Sequence, residues 1–360
     1  MAPQSREEGG KGFEKLGSEG GNTSEKNLRQ GSLGFENQQE DPDLAEIPRT
    51  IYPDTWQVRE LCRRAREPRI QRLFEELRRG DRMRLVVSTM HIYELVRGVT
   101  ASEHARAAEE AALTLDRCDP LFTATVPSQV LQEEVAAACF DVMRISHEVT
   151  PALRTATTFQ EAVSSRPHVP MMIGPGTYRT VQDAVRGFID HPDSLSRVRD
   201  LQAKWLCAAQ EITDLLRSEG VTGSGDLFDT MLRSGFLARS GKLAATVRSI
   251  ASRHLPTQTP SGLSLSTSET TRCLDQITLG SCPTLAVELR LLARRVADRD
   301  AVFEESFVVD GMHASVGLPY CDYFAADTRV AEYLRDTRFP FRTANVYRST
   351  EALLDLVAPP

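Results

Sequence analysis

The chain has 360 residues, 41% of them hydrophobic, enough to bury one large core or two modest ones. Its formal charge of −7 is gathered at the front, where residues 1–50 hold six Lys and Arg against ten Asp and Glu. The near-neutral remainder excludes histone-like bulk attraction to nucleic acid but leaves room for a local basic groove. No apolar run reaches ~18 residues, so a membrane span is not expected. The seven cysteines, at 62, 118, 139, 207, 273, 282 and 321, contain no Cys-x-x-Cys pair, which favours reduced thiols over a disulfide framework or a zinc ribbon.

Residues 1–45 are dominated by Gly, Ser, Glu, Gln and Asn; with so little to bury, this tail is expected to be disordered. It lacks the apolar centre of a signal peptide and is too acidic for a transit peptide, so a cytoplasmic protein is expected. A short strand is predicted at Thr50–Pro53, followed by a helical stretch over 55–79 that breaks at Pro68. Leu61, Ala65, Leu73, Phe74 and Leu77 keep an apolar face through that stretch. Between Arg59 and Arg84 stand ten Arg against five acids. They read either as a solvated helix face with Glu/Arg pairs or as an RNA-backbone contact, and the commonness of such pairing favours the first. Leu85–Val87 reads as a buried strand and Ser88 as the N-cap of a helix that carries Glu94.

Helical spacing then dominates, over 127–149, 180–190, 195–217, 226–254 and 284–299, with Pro/Gly/Ser-rich linkers at 164–176 and 255–270. Strands return at Asp322–Ala326 and Thr343–Tyr347, alternating with helices 310–317, 328–336 and 350–357. The expected architecture is therefore an α/β domain with a parallel sheet, its halves at 46–126 and 284–360 separated by a mainly helical insertion at 127–283.

Five acids recur beside short apolar runs. Asp54 follows Ile51, Tyr52 and Pro53; Glu94 lies one turn into its helix; Asp310, Asp322 and Asp327 bracket the C-terminal apolar segments. Carboxylates stacked at the carboxyl edge of a parallel sheet can hold two divalent cations, which activate water and neutralise the charge that develops on a phosphate under in-line attack. Taken singly, Asp54 and Asp310 read equally well as helix caps. His313, one turn after Asp310, reads as a packed, locally hydrogen-bonded side chain more than as a base or ligand. Gly174-Pro175-Gly176 lacks the Lys and the strand-to-helix context of a phosphate loop. Asp54-x-Trp56 fails the Asp-x-Asp pattern of a covalent phosphoaspartate mechanism.

The segment Ile51–Thr55 resembles the opening apolar-Asp-Thr motif of the PIN-domain nucleases, metal-dependent and mostly RNA-cutting enzymes with a small α/β fold. Ser88 to Glu94, with Leu95 and Arg97-Gly98, resembles that family's second motif. Asp310-x-x-His313, then Leu318 to Phe324 and Asp327, is similar to its third and fourth. The resemblance covers roughly 50–100 and 300–360. It implies a PIN-like domain in which Asp54, Glu94, Asp310 and Asp327 form an acidic pocket for Mg²⁺ or Mn²⁺, with Asp322 adjacent as a further candidate ligand. It also implies endonucleolytic hydrolysis of RNA, with single-stranded DNA as a second candidate substrate. A protein inhibitor, as the family's compact toxin members have, and self-association are left open. Two positions depart from the family pattern: Trp56 stands where a small polar residue is usual, and Ala325 where Thr often stands. Both remove a possible donor to the metal ligands, which keeps a second reading open, a catalytically degenerate PIN-like scaffold that binds RNA or protein. A third, an all-helical regulator, requires the sheet to be absent.

Overall fold

The computed structural model of the protein describes residues 48–100, 102–124, 127–144, 151–164, 178–218, 220, 280–297, 304–335 and 337–357. The tail expected at 1–45, the linker at 255–270, nearly all of the linker at 164–176 and the helix expected at 226–254 lie outside these residues.

Five short strands build an all-parallel sheet: β1 (Arg49–Tyr52), β2 (Met83–Ser88), β3 (Leu121–Thr123), β4 (Tyr323–Ala325) and β5 (Asn345–Tyr347), in the order β3-β2-β1-β4-β5. The register sets Ile51 opposite both Leu85 and Tyr323, Val86 opposite Leu121, and Phe324 opposite Val346. This sheet excludes the all-helical reading. Alternation along each strand splits the apolar residues between two faces. Ile51, Leu85, Val87, Phe122 and Ala325 join one core cluster, and Tyr52, Val86, Phe324 and Ala326 the other.

Helices cover both faces. On the first lie α1 (Thr55–Arg63), α2 (Pro68–Arg79), α3 (Thr89–Arg97) and α4 (Ser102–Asp116), followed after β3 by α5 (Pro127–Val142), α6 (Phe159–Ser164), α7 (Val181–Ile189) and α8 (Pro192–Ser218) in the middle of the chain. The chain closes with α9 (Pro283–Ala297), α10 (Glu305–Tyr320), α11 (Thr328–Arg335) after β4, and α12 (Thr350–Val357) after β5. Pro68 starts α2, where its missing N–H costs nothing, and Gly80 ends it at φ +70°, the left-handed conformation that glycine adopts without a Cβ penalty. The expected break at Pro68 is thus a change of helix.

Three features differ from the sequence reading. Helix α4, the three-residue strand β3 and the short helix α6 were not expected. Helix α10 begins at Glu305, five residues before the expected start, and continues to Tyr320 through Pro319. The middle helices also do not stand apart from the α/β halves, because Phe159, Val163, Val181, Val185 and Phe188 belong to the same core cluster as Ile51 and Leu85. Two carboxylates bind them in. Asp116, at the end of α4, accepts from the Val181 and Gln182 amides at 2.8 and 2.9 Å, and Glu134 of α5 accepts from the Thr284 amide at 2.9 Å. Each satisfies first-turn N–H groups of another helix, as a cap would from within.

Helix α10 lies tight against the sheet. A Cβ on Gly317 would meet Phe324 Cδ2 at 2.6 Å and Tyr52 Cδ1 at 2.9 Å, so only glycine lets the helix approach β1 and β4 this closely. Among the described residues no helix is long and apolar enough to cross a membrane, and Cys62, Cys118, Cys139, Cys207, Cys282 and Cys321 are unbridged.

Candidate active site

In the order β3-β2-β1-β4-β5 the chain leaves β1 toward β2 on one side, while β4 lies on the other. The crevice of an open parallel sheet forms at such a reversal, at the carboxyl ends of the strands. Asp54 follows β1 there and Asp327 follows β4. Glu94 reaches the same place from the second turn of α3, and Asp310 from the second turn of α10. The four acids line one open cleft of about 610 Å³, together with Trp56, Arg59, Glu60, Arg63, Ser306 and Arg329.

Asp54 is both a cap and a cleft residue. It is the N-cap of α1, its Oδ1 accepts from the Trp56 amide at 3.2 Å, and its side chain is nearly buried. Burial, with the Glu94 and Asp327 charges adding to it, pushes its carboxyl up to about 6 against the pull of His313 and the Trp56 amide. Asp327 likewise caps α11, accepting from the Val330 amide at 2.6 Å. Asp310 caps nothing, since its helix starts at Glu305; the capping reading of this residue is corrected. Burial, then the charges of Asp54, Asp327 and Glu94, push it up to about 8, with Arg97 opposing.

Glu94 is held differently. Burial raises its carboxyl, but the hydrogen bond and charge of His313, the Thr55 hydroxyl and Arg97 outweigh that and hold it down at about 2. The Thr55 hydroxyl donates to Oε2, the same oxygen that faces His313 Nε2 at 3.2 Å, while Arg97 stands 3.7 Å from Oε1. Thr55 thus gives Glu94 a hydroxyl donor, and the Trp56 amide gives Asp54 a backbone donor.

Behind Glu94 runs a buried chain of hydrogen-bonded polar groups. The Ser88 amide donates to His91 Nδ1 at 2.9 Å, so His91 Nε2 carries the proton and donates to the Pro53 carbonyl at 2.7 Å. The Ser88 hydroxyl lies 2.9 Å from the same Nδ1 and 2.7 Å from the Tyr52 hydroxyl, which in turn stands 3.1 Å from His313 Nδ1. His313 Nε2 faces Glu94 Oε2 at the other end. Burial, then His313, hold His91 down at about 3, which keeps it neutral. His313 was expected to pack and bond locally; it is packed, but its hydrogen-bond partners are the distant Tyr52 and Glu94, the second of them a cleft acid.

Asp322 stands apart from the four. It precedes β4, at the opposite end of the sheet from the cleft, where Oδ2 accepts from the Thr50 amide at 2.9 Å and the Thr50 hydroxyl at 3.1 Å, and Oδ1 accepts from Arg342 at 2.9 Å. It holds the start of β1 against β4 and does not reach the place where Asp54 and Asp327 lie. The Arg-rich stretch also divides. Arg63 lines the cleft, Arg64 binds Glu67 and Glu351, Arg79 pairs with Glu76, and Arg78 is an exposed residue of α2 that does not line the cleft.

An all-oxygen set of four carboxylates suits Mg²⁺ or Mn²⁺, hard cations that take such donors. Burial raises Asp54 and Asp310 first, and the repulsion among the acids that adds to it is charge a divalent cation would neutralise. Among the described residues, no three His, Cys, Asp or Glu side chains already stand close enough to close around one ion. Comparison with protein-family models, with curated proteins and with solved structures returns no match.

Proposed function

We propose that the protein is a metal-dependent phosphodiester hydrolase with a PIN-like domain, acting on RNA. The observation that carries this reading is the convergence of Asp54, Glu94, Asp310 and Asp327, from four separate segments, on one cleft whose walls bear Arg59, Arg63 and Arg329. Acids on the floor and arginines on the walls suit a polyphosphate chain bridged through cations. In this reading the four acids hold Mg²⁺ or Mn²⁺, which supplies activation of water and stabilisation of the charge on phosphorus. Thr55 and His313 fix the orientation of Glu94 by occupying Oε2. The caps made by Asp54 and Asp327 hold those two side chains against the ends of α1 and α11.

Labelled RNA and single-stranded DNA incubated with the protein under Mn²⁺, Mg²⁺ or EDTA test this. Cleavage that needs the cation and is lost in Asp54→Asn is expected, and cleavage that survives EDTA overturns it. The second reading, a non-catalytic PIN-like scaffold, draws on the separation of the acids as they stand. It requires strand or protein binding without cleavage under either cation.

A further inference from the structure

Trp56, Arg59 and Arg63 lie at i, i+3 and i+7 of α1, so one side of this helix faces the cleft along two turns. Trp56 stands two residues from Asp54, and its own amide holds that carboxylate, which places the half-buried indole beside the floor acids. The indole Nε1 is shielded from solvent and has no hydrogen-bond partner among the described residues, although a buried indole N–H usually finds one. Arg59 is exposed and pairs with no carboxylate among the described residues. Among the described residues Arg63 pairs with the neighbouring Glu60, and its side chain is 75% exposed, so a phosphate can displace that contact at little cost. The two arginines are one turn apart, about 6 Å along the axis, comparable to the step between neighbouring phosphates of an extended strand. Arg329 provides a cation on α11, while Glu60 is the one acid on the α1 wall.

We propose that this face of α1 is the strand-binding wall of the cleft and takes a single-stranded polynucleotide. Trp56 stacks on the base next to the phosphate held over the acids, and Arg59 and Arg63 take the phosphates that follow. Stacking on the indole requires an unpaired base, which selects single strands over duplexes, and an aromatic face accepts any base, so sequence preference is weak. The proposal rests on the hydrolase reading for the place of the scissile phosphate but not for the binding itself. It gives Trp56, which departs from the PIN pattern, a role in place of the donor it displaces.

Trp56 and Trp205 are the two tryptophans of the chain, so a full-length Trp205→Phe protein reports Trp56 fluorescence alone. It is titrated in EDTA and low salt with a short RNA, the same sequence as single-stranded DNA, an abasic chain of equal length, and inorganic polyphosphate. Quenching by the RNA and the DNA but not by the abasic chain or polyphosphate is expected, and the two base-bearing arms rank ribose against deoxyribose. Trp56→Ala should weaken strand binding roughly tenfold and Trp56→Phe much less. Arg59→Ala and Arg63→Ala should each lower the salt slope of binding by about one. A strand that binds without quenching, equal quenching by the abasic chain, or a folded Trp56→Ala protein that binds as tightly as wild type overturns the proposal. So does a folded wild type that binds no strand. Manganese-dependent cleavage by Trp56→Ala at unchanged KM overturns the wall and leaves the hydrolase reading standing. Quenching without cleavage under any cation does the reverse.

Discussion

Asp310→Asn should make the metal-free protein more stable while removing its response to metal. The carboxyl of Asp310 rises from 3.8 to about 8 in the folded state, so near neutral pH the native protein binds a proton that the unfolded chain has released. Stability is therefore greatest below the unfolded value, falls as pH rises through the window between the two, and levels off above about 8. At pH 7 the gap amounts to about three pH units, or roughly 4 kcal/mol at 1.36 kcal/mol per unit. Relaxation of the neighbouring acids shares part of this, so a gain on the order of 2–4 kcal/mol is expected for the neutral amide. Over the roughly 220 described residues, at ~2.1 cal/mol/K each, this raises Tm by roughly 4–9 °C. Circular-dichroism melts in EDTA between about pH 5 and 9 measure it: wild type should lose stability toward alkaline pH, and the variant should hold a flatter profile. Added Mn²⁺ should then stabilise wild type by about 2.7 kcal/mol at a hundredfold excess over Kd. The effect should be larger above pH 8, where no proton competes, and small in the variant. A variant that melts below wild type at pH 8 in EDTA, or equal Mn²⁺ shifts in both proteins, would refute the account of the site.

Four further substitutions probe the site and the packing around it. His313→Leu removes two buried hydrogen bonds and should cost about 2–4 kcal/mol at pH 7. Because Glu94 is held at about 2, below its ordinary 4.5, the stability gap to wild type should be full above pH 4.5 and narrow as pH falls toward 2; urea titrations that show a constant gap would sink the His313–Glu94 pairing. Asp327→Asn keeps a good cap for α11 and should fold normally yet lose cleavage. Asp322→Asn breaks the clamp on Thr50 and Arg342, and should lower stability by about 1–2 kcal/mol while cleavage persists; exchanged phenotypes would move the site to the other end of β4. Gly317→Ala forces a methyl against Phe324 and Tyr52 and should destabilise by about 1–3 kcal/mol in chemical denaturation, and a neutral result would show that α10 can lift off the sheet.

The strand-end acids were legible because two rules coincide at them. Asp54 and Asp327 each end an apolar run and begin a helix, which marks the carboxyl edge of a parallel sheet whether or not chemistry follows. Glu94 was placed by Ser88, whose position at the start of α3 fixes the phase of the helix. Asp310 was found as an acid but in the wrong local setting, since Ser306 to Val309 already belong to α10 and the unbroken apolar run Phe307, Val308 and Val309 gives no period by which to tell helix from strand. Leu121–Thr123 is too short to show alternation, and β3 exists because β2 offers it an edge. The buried chain from Pro53 to Glu94 left no sequence signal at all. His313 and Tyr52 are 261 positions apart, and nothing local states that α10 will bring them together. The Arg-rich stretch divides for a similar reason: its Glu/Arg pairs form as read, but nothing local tells that α1 turns Arg59 and Arg63 to the cleft while Arg78 and Arg79 on α2 lie away from it.

The central position of β1 governs when the protein can fold. One side of this strand pairs with β2 soon after synthesis, but the other waits for β4, with Thr50 meeting Asp322 across 272 positions. At ~5–20 residues per second of translation, that edge stays open for roughly 14–54 s. During this interval the chain carries Asp54 and Glu94 without Asp310 and Asp327, and β1 offers unpaired N–H and C=O groups to any passing strand.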